Sequence, residues 1–207
     1  IDSTPRLRGR VSGFDLDMRL ATAHAAMGRF DAAIALCERY LDDPEVPPSM
    51  YYGRLSELYE VAQRYDEAIA CHRKAYEVSD DSTTAVLDLA MALLRHNQDL
   101  DYARKLIAEA EAMPMSDVLE LFLPSLKGLA ALNANSHAEA LDLLTRTEES
   151  LRPIAPGSAP IRNILDNIQG FKAIAFAKTG RLDEARKCFA AARPRIDALK
   201  NIALLQR

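Results

Sequence analysis

The chain has 207 residues, of which 49% are hydrophobic, and a formal net charge of −4 at pH 7. It contains no run of 18 or more apolar residues, the length that a membrane-spanning helix needs, so we expect no membrane partner. The acidic balance argues against nucleic acid as a ligand. Strict alternation of apolar and polar residues is rare, which argues against β-sheet.

The first 13 residues contain Arg6, Arg8 and Arg10 beside Gly9 and Gly13. Arginines beside glycines form either a phosphate-binding arm or a mobile terminus, and the mobile terminus is the commoner case. We therefore predict a flexible N-terminal arm over residues 1–13. Because the chain begins with isoleucine and not methionine, we also expect it to be a fragment of a larger protein.

Residues 52–75 contain a pattern that recurs through the chain. Leu55 and Tyr59 are four residues apart, which places them on one face of a first helix. After a short break, the small residues Ala68 and Ala75 mark a second helix that lies close to the first. The pattern predicts two antiparallel helices joined by a tight turn. One such hairpin cannot bury its apolar face alone, so it has to be repeated.

The small residue of the second helix recurs at nearly constant spacing. Successive copies are 35, 35, 37 and 45 residues apart and fall at Ala33, Ala68, Ala103, Ala140 and Ala185. This spacing is close to the length of one helix hairpin. We predict five hairpins, over about residues 14–47, 49–82, 83–116, 117–150 and 161–193.

These copies resemble the tetratricopeptide repeat, a motif of about 34 residues with a large-small pair and an aromatic in its first helix. One copy is matched by Leu55-Ser56, Tyr59, Tyr65, Ala68 and Ala75, and another by Gly180, Leu182, Ala185, Phe189 and Ala192. The resemblance implies an all-α fold, a right-handed α-solenoid of about five helix hairpins. Its concave groove would be lined by the first helices.

The fourth copy departs from the family pattern. Pro124 and Lys127 occupy positions where large apolar residues are usual, and the chain contains no Trp. We expect Pro124 to start or kink its helix, because proline cannot donate a backbone hydrogen bond.

Two segments fall outside the regular repeats. Residues 151–160 contain three prolines and are either a linker between domains or a long loop between stacked hairpins, of which we favour the loop. Residues 194–207 predict a C-terminal capping helix with Ile196, Leu199 and Ile202 on its apolar side. The same side is a candidate for self-association.

The family resemblance places a partner-binding site in the concave groove. Projecting the repeat onto this chain assigns the groove to Arg19, Arg54, Leu87, Met91, Phe122, Leu129, Phe171 and Ile174. A groove that is polar at its start and apolar later suits an amphipathic helix or an extended peptide of a partner protein. The alternative is that several of these residues pack against neighbouring hairpins.

The sequence contains none of the motifs that indicate an enzyme: no glycine-rich phosphate loop, no nucleophile elbow and no zinc-protease pattern among the histidines. Cys37, Cys71 and Cys188 are too few and too scattered for a disulfide framework, which predicts a reducing, cytoplasmic setting. We expect no metal and no cofactor.

Charge is divided unevenly along the chain. Residues 1–150 have 15 Lys and Arg against 26 Asp and Glu, a net charge of −11, whereas residues 151–207 have 11 against 4, a net charge of +7. This division is either drift in solvated faces or a basis for head-to-tail pairing. The sequence predicts a non-catalytic protein-protein interaction scaffold. The alternatives are an oligomerising or regulatory segment of a larger signalling or secretion protein, and an accessory domain of an enzyme.

Overall fold

The computed structural model describes residues 4–41, 43–79 and 82–192, and for residues 4–12 and 160 it describes the backbone alone. All regular structure in these residues is helical, which confirms the predicted all-α fold. The elements are α1 (Thr4–Ala26), α2 (Phe30–Glu38), α3 (Pro48–Val61), α4 (Tyr65–Val78), α5 (Thr83–Arg95), α6 (Leu100–Glu111), α7 (Asp117–Asn133), α8 (His137–Leu151), a 3-10 turn (Ala155–Gly157), α9 (Ala159–Lys178) and α10 (residues 182–192).

Tight turns join these helices in pairs, giving five hairpins in which the odd-numbered helix comes first. In each turn the second residue after the first helix is left-handed, with φ between 53° and 77°. The amide of the next residue donates a hydrogen bond of 2.8–2.9 Å to the carbonyl five residues earlier, which caps the first helix. The left-handed residues are Gly28, Gln63, Asn97, Asn135 and Gly180. Glycine and asparagine tolerate this backbone, so residue type encodes every one of these turns except that at Gln63.

The chain divides into two compact units, one formed by the described residues up to Ala85 and the other by those from Val86 onward. The core of the first unit includes Phe14, Met18, Ile34, Tyr51 and Leu55. The fully buried side chains of the second unit include Leu106, Leu126, Leu144, Leu151 and Ile168. In each unit the buried residues come from first and second helices alike, as helix-on-helix packing requires.

Residues 152–158 connect α8 to α9 inside the second unit. Arg162 donates hydrogen bonds of 3.2 and 3.0 Å to the carbonyls of Ala155 and Pro156. The side chain of Ser158 accepts a hydrogen bond from the amide of Ile161 and caps α9. These bonds tie the connection to the start of α9, and the helices on both sides of it belong to one compact unit.

Helix α7 begins at Asp117, so Pro124 lies inside it and does not start it. Burial of the flanking Leu123 and Leu126 offsets the backbone hydrogen bond that proline cannot make.

Helix α1 begins at Thr4, so residues 4–13 are helical where we expected a flexible arm. A proline in the first helical turn, here Pro5, loses no hydrogen bond. The predicted capping helix, residues 194–207, lies outside the described residues.

Gly128 lies where α7 and α8 approach each other closely. A Cβ atom at this position would lie 2.8 Å from Cγ of Leu144, whose side chain is fully buried. Gly170 in α9 provides a matched comparison, because no atom lies within 4 Å of a Cβ atom added there. The same substitution therefore meets a packed neighbour at one site and open space at the other.

We expect Gly128→Ala to lower the free energy of unfolding by about 1 kcal/mol, because the cost of overpacking exceeds the gain in helix propensity. Gly170→Ala should raise it by about 0.5–1 kcal/mol, because alanine loses less backbone entropy in a helix. Urea unfolding followed by circular dichroism measures both changes. Stabilisation by both substitutions would contradict the close approach at Gly128.

Candidate partner-binding surface

Two lysines on first helices pair with glutamates on the second helix of the preceding hairpin. Lys127 on α7 pairs with Glu111 on α6, and both side chains are partly exposed. Lys172 on α9 lies 2.8 Å from Glu148 on α8, and both side chains are about nine-tenths buried. The departure from the repeat pattern at Lys127 is thus matched by an acidic residue on the neighbouring hairpin.

Glu148 also accepts a hydrogen bond from Arg152, the residue that follows the end of α8. Burial alone would raise the pKa of the Glu148 carboxyl. The hydrogen bonds from Lys172 and Arg152, together with their positive charges, outweigh burial and hold this pKa below its ordinary value. The carboxylate is therefore ionised near neutral pH and links successive hairpins.

The structure divides the eight predicted groove residues into two equal groups. The residues that are more than nine-tenths buried are Leu87, Met91, Leu129 and Phe171. Their side chains pack inside the protein and leave almost no surface for a partner. The residues that keep partly or fully exposed surface are Arg19, Arg54, Phe122 and Ile174. Of these, the two arginines lie in the first unit and the two apolar residues in the second.

In the first unit, α1 and α3 present a polar surface formed by Arg19, Thr22, Arg54 and Glu57. Arg54 Nη2 donates a hydrogen bond of 3.0 Å to Thr22 Oγ1, and Arg54 Nη1 lies 2.5 Å from Glu57 Oε2. Thr22 Oγ1 donates in turn to the carbonyl of Met18 over 2.8 Å. Arg19 is exposed one turn before Thr22. This surface offers two guanidinium groups to a polar ligand.

In the second unit, α9 presents an apolar side chain on the same helix face as a polar pair. Ile174 is 49% exposed. Asn167, two turns earlier on the same side of α9, accepts a hydrogen bond of 3.1 Å from Arg95 Nη2 of α5. On α7, Phe122 is partly exposed and Val118, one turn before it, is more exposed. We call Ile174, Asn167 and Arg95 the α9 surface.

The sequence did not identify Asn167 and Arg95 as members of this surface. Asn167, Gly170 and Ile174 follow the i, i+3, i+7 spacing of one helix face, and this periodicity is the signal that could have revealed Asn167. The bond between Arg95 and Asn167 joins residues 72 positions apart. It depends on how hairpins stack, for which the sequence has no local signal.

In the described part of the chain, the other residues considered as candidate sites have structural roles. No group of three or more His, Cys, Asp or Glu residues in these ranges is placed to hold a metal ion. Cys37 Sγ lies 3.4 Å from Met18 Sδ in the core, and burial raises the pKa of the Cys37 thiol to about 11. Burial likewise raises the pKa of Cys71 to about 11. None of the described helices has the length and apolar character to cross a membrane.

Comparison with known proteins agrees with the repeat pattern. Residues 18–82 match the family model of the tetratricopeptide repeat. No curated protein sequence matches the chain. Among solved structures, the type IV pilus biogenesis factor PilW is 18% identical, with 89% of this chain and 78% of that chain covered and a TM-score of 0.60.

Two further solved structures share the fold. PilF of Pseudomonas aeruginosa is 16% identical, with 90% of this chain and 78% of that chain covered and a TM-score of 0.57. A crystal structure of MamA is 20% identical, with 92% and 93% covered and a TM-score of 0.53. Identities this low establish similarity of fold alone.

Proposed function

We propose that this chain is a tetratricopeptide repeat protein, as the match of residues 18–82 to the family model supports, and that it is a non-catalytic scaffold that binds a peptide or helix of a partner protein. The proposed binding residues lie on first helices, and each unit is considered by itself: Arg19 and Arg54 in the first unit, Phe122 and Ile174 in the second. No cofactor, metal, nucleic acid or membrane is part of the proposal.

The observation that carries the proposal is the α9 surface. A single exposed apolar residue is ordinary on a protein surface. Here, however, Ile174 lies on the same helix face as Asn167, whose side-chain oxygen accepts a hydrogen bond from Arg95. An apolar anchor beside groups that hydrogen-bond is the arrangement that binds one face of a helix or an extended peptide.

The polar surface of the first unit supplies a different chemistry. Arg54 is engaged by Glu57 and Thr22, and its side chain remains 41% exposed. A carboxylate of the ligand can replace Glu57 at this guanidinium, and Arg19 on α1 is also exposed. We infer that this unit binds acidic or polar residues of the ligand.

We expect Ile174→Asp to abolish capture of the partner from native lysate, because the charge places a desolvation cost at the apolar anchor. The wild-type chain and the variant are immobilised, and the bound proteins are compared by mass spectrometry. Leu129 and Phe171 are unsuitable for this test, because aspartate at such buried positions would disrupt folding.

The matched control is Ile154→Asp in the loop between α8 and α9, where the isoleucine is 46% exposed. It introduces the same charge at the same exposure away from the first helices. A partner that is lost with Ile174→Asp and kept with Ile154→Asp supports the proposal. A partner kept by both variants would exclude the α9 surface as the binding site.

Two further parts of the proposal concern compartment and assembly. We propose a reducing compartment such as the cytoplasm, with which the free cysteines Cys37, Cys71 and Cys188 agree. The second candidate function is that of an oligomerising or regulatory segment of a larger signalling or secretion protein, which the uneven charge of the chain favours.

A further inference from the structure

Gly170 lies inside α9 at a position where the described residues give no structural reason for glycine. Glycine in the interior of a helix is less favourable than alanine, because it loses more backbone entropy. At Gly128 this cost has a packing reason, since a Cβ atom would meet Leu144. At Gly170 no atom lies within 4 Å of an added Cβ atom, and the backbone is not left-handed. Gly170 therefore leaves the helix backbone open to a molecule from outside the fold.

Gly170 belongs to a stripe of residues that runs along one side of α9. The stripe follows the i, i+4, i+7, i+11, i+14 spacing of one helix face. Its members are partly or fully exposed and carry no ionisable group: Asn163, Asn167, Gly170, Ile174 and Ala177. We call these five residues the α9 stripe. It is about 21 Å long at the rise of an α-helix.

The two ends of the α9 stripe offer different chemistry. A carboxamide both donates and accepts hydrogen bonds. The Asn167 side-chain oxygen accepts from Arg95 Nη2 over 3.1 Å, and no described residue accepts a hydrogen bond from the Asn167 side-chain nitrogen. At the other end Ile174 is 49% exposed. The stripe therefore fits a ligand that offers a carbonyl at one end and an apolar side chain at the other.

An extended peptide fits the α9 stripe better than a helix does. In a helix the main-chain carbonyls are bonded within the helix itself, so they are not available to Asn167. In an extended peptide every residue offers a free carbonyl, and the main chain can lie directly against the open backbone at Gly170. About six residues of extended chain cover about 20 Å, which matches the length of the stripe.

We propose that the α9 stripe binds an extended peptide segment of a partner protein. The main chain of the segment lies over Gly170, one of its carbonyls accepts a hydrogen bond from Asn167, and an apolar side chain packs on Ile174. Because Arg95 holds the Asn167 oxygen, the side-chain nitrogen is the group that faces the ligand. This inference rests on the proposed function, since it specifies the ligand of the α9 surface.

The test selects peptides from a random linear library displayed on phage, with the full chain as bait. Enriched peptides are synthesised with a fluorescent label, and their affinities are measured by anisotropy. Gly170→Leu should weaken binding by about tenfold or more, because leucine fills the space that the main chain of the peptide needs. The variant should be at least as stable to urea as the wild-type chain, because leucine is a good helix former and meets no neighbour there.

Ala138→Leu is the matched control, because it adds the same side chain at an exposed position of α8, a second helix, and should leave binding unchanged. Single proline substitutions along the peptide distinguish the two ligand conformations. Proline in the middle of a helix disrupts it, whereas an extended peptide tolerates proline wherever the main-chain N–H is not bonded. We therefore expect at least one central proline to be tolerated.

Peptides that bind Gly170→Leu as tightly as the wild-type chain overturn the proposal. Loss of binding with every central proline would mean a helical ligand, which overturns the extended segment and leaves the proposed function in place. A selection that enriches no peptide also overturns the proposal. The proposed function is then decided separately, by whether Ile174→Asp loses the partner that the wild-type chain captures.

Discussion

Replacing Glu148 by alanine is expected to lower the free energy of unfolding by about 3 kcal/mol, because it leaves the Lys172 ammonium buried without its partner. The side chains of Glu148 and Lys172 are only 10% and 11% exposed and lie 2.8 Å apart. This loss is at the lower end of the range for a buried ion pair, because the carboxylate also contacts Arg152, whose side chain is mostly exposed. Urea unfolding of the full chain measures the loss.

Glu111→Ala is the matched control, since Glu111 and Lys127 form the corresponding pair one hairpin earlier but are partly exposed. Exposed pairs contribute about 0–1 kcal/mol, so this variant should remain close to the wild-type chain. Replacing both Glu148 and Lys172 by apolar residues should recover most of the lost stability, because no unpaired charge is then buried. Equal losses for Glu148→Ala and Glu111→Ala would mean that burial does not distinguish the two pairs.

The pH dependence of this loss follows from the lowered pKa of Glu148. A carboxyl whose pKa is lower in the folded state stabilises the protein fully above its ordinary pKa. That contribution is lost as the pH falls through the folded-state value. The difference in stability between the wild-type chain and Glu148→Ala should therefore be largest near neutral pH and smaller in acid. A difference that grows in acid would contradict the assignment.

The sequence predicted the repeat and its second helices well, because their constraints are local. Ala33, Ala68, Ala103 and Ala140 are all fully buried, since two helices can approach closely only where side chains are small. The turns were encoded almost as directly, by glycine or asparagine at the left-handed position. These features depend only on residues within one hairpin, so the sequence alone is enough to predict them.

The groove residues could not be predicted in the same way. A first helix in a repeat array packs against neighbours on several sides. Apolar residues at helical spacing therefore occur on its buried sides as well as on its exposed side, and the spacing does not distinguish them. Leu129 follows the spacing of a groove residue yet is buried in the second unit, whereas Ile174 with the same chemistry is exposed. The difference depends on which neighbouring hairpin covers each side, and no local pattern carries that information.

Replacing Ala68 by leucine is expected to lower the free energy of unfolding of the first unit by about 3 kcal/mol, the upper end of the cost of overpacking. Ala68 is fully buried in the core cluster that includes Ala33, Leu55 and Tyr59. Leucine adds three carbon atoms where interior packing leaves no empty volume. The helices α3 and α4 would have to separate, which exposes the apolar contacts between them.

Ala70→Leu provides the control in the same helix, because Ala70 is exposed two residues away. Leucine there meets solvent and keeps nearly the helix propensity of alanine, so stability should change by about 0.5 kcal/mol or less. Thermal and urea unfolding of both variants, with Cys37 and Cys71 as buried thiol probes of this unit, separate local from global loss of structure. Equal destabilisation by the two substitutions would exclude the helix register in which Ala68 faces α3.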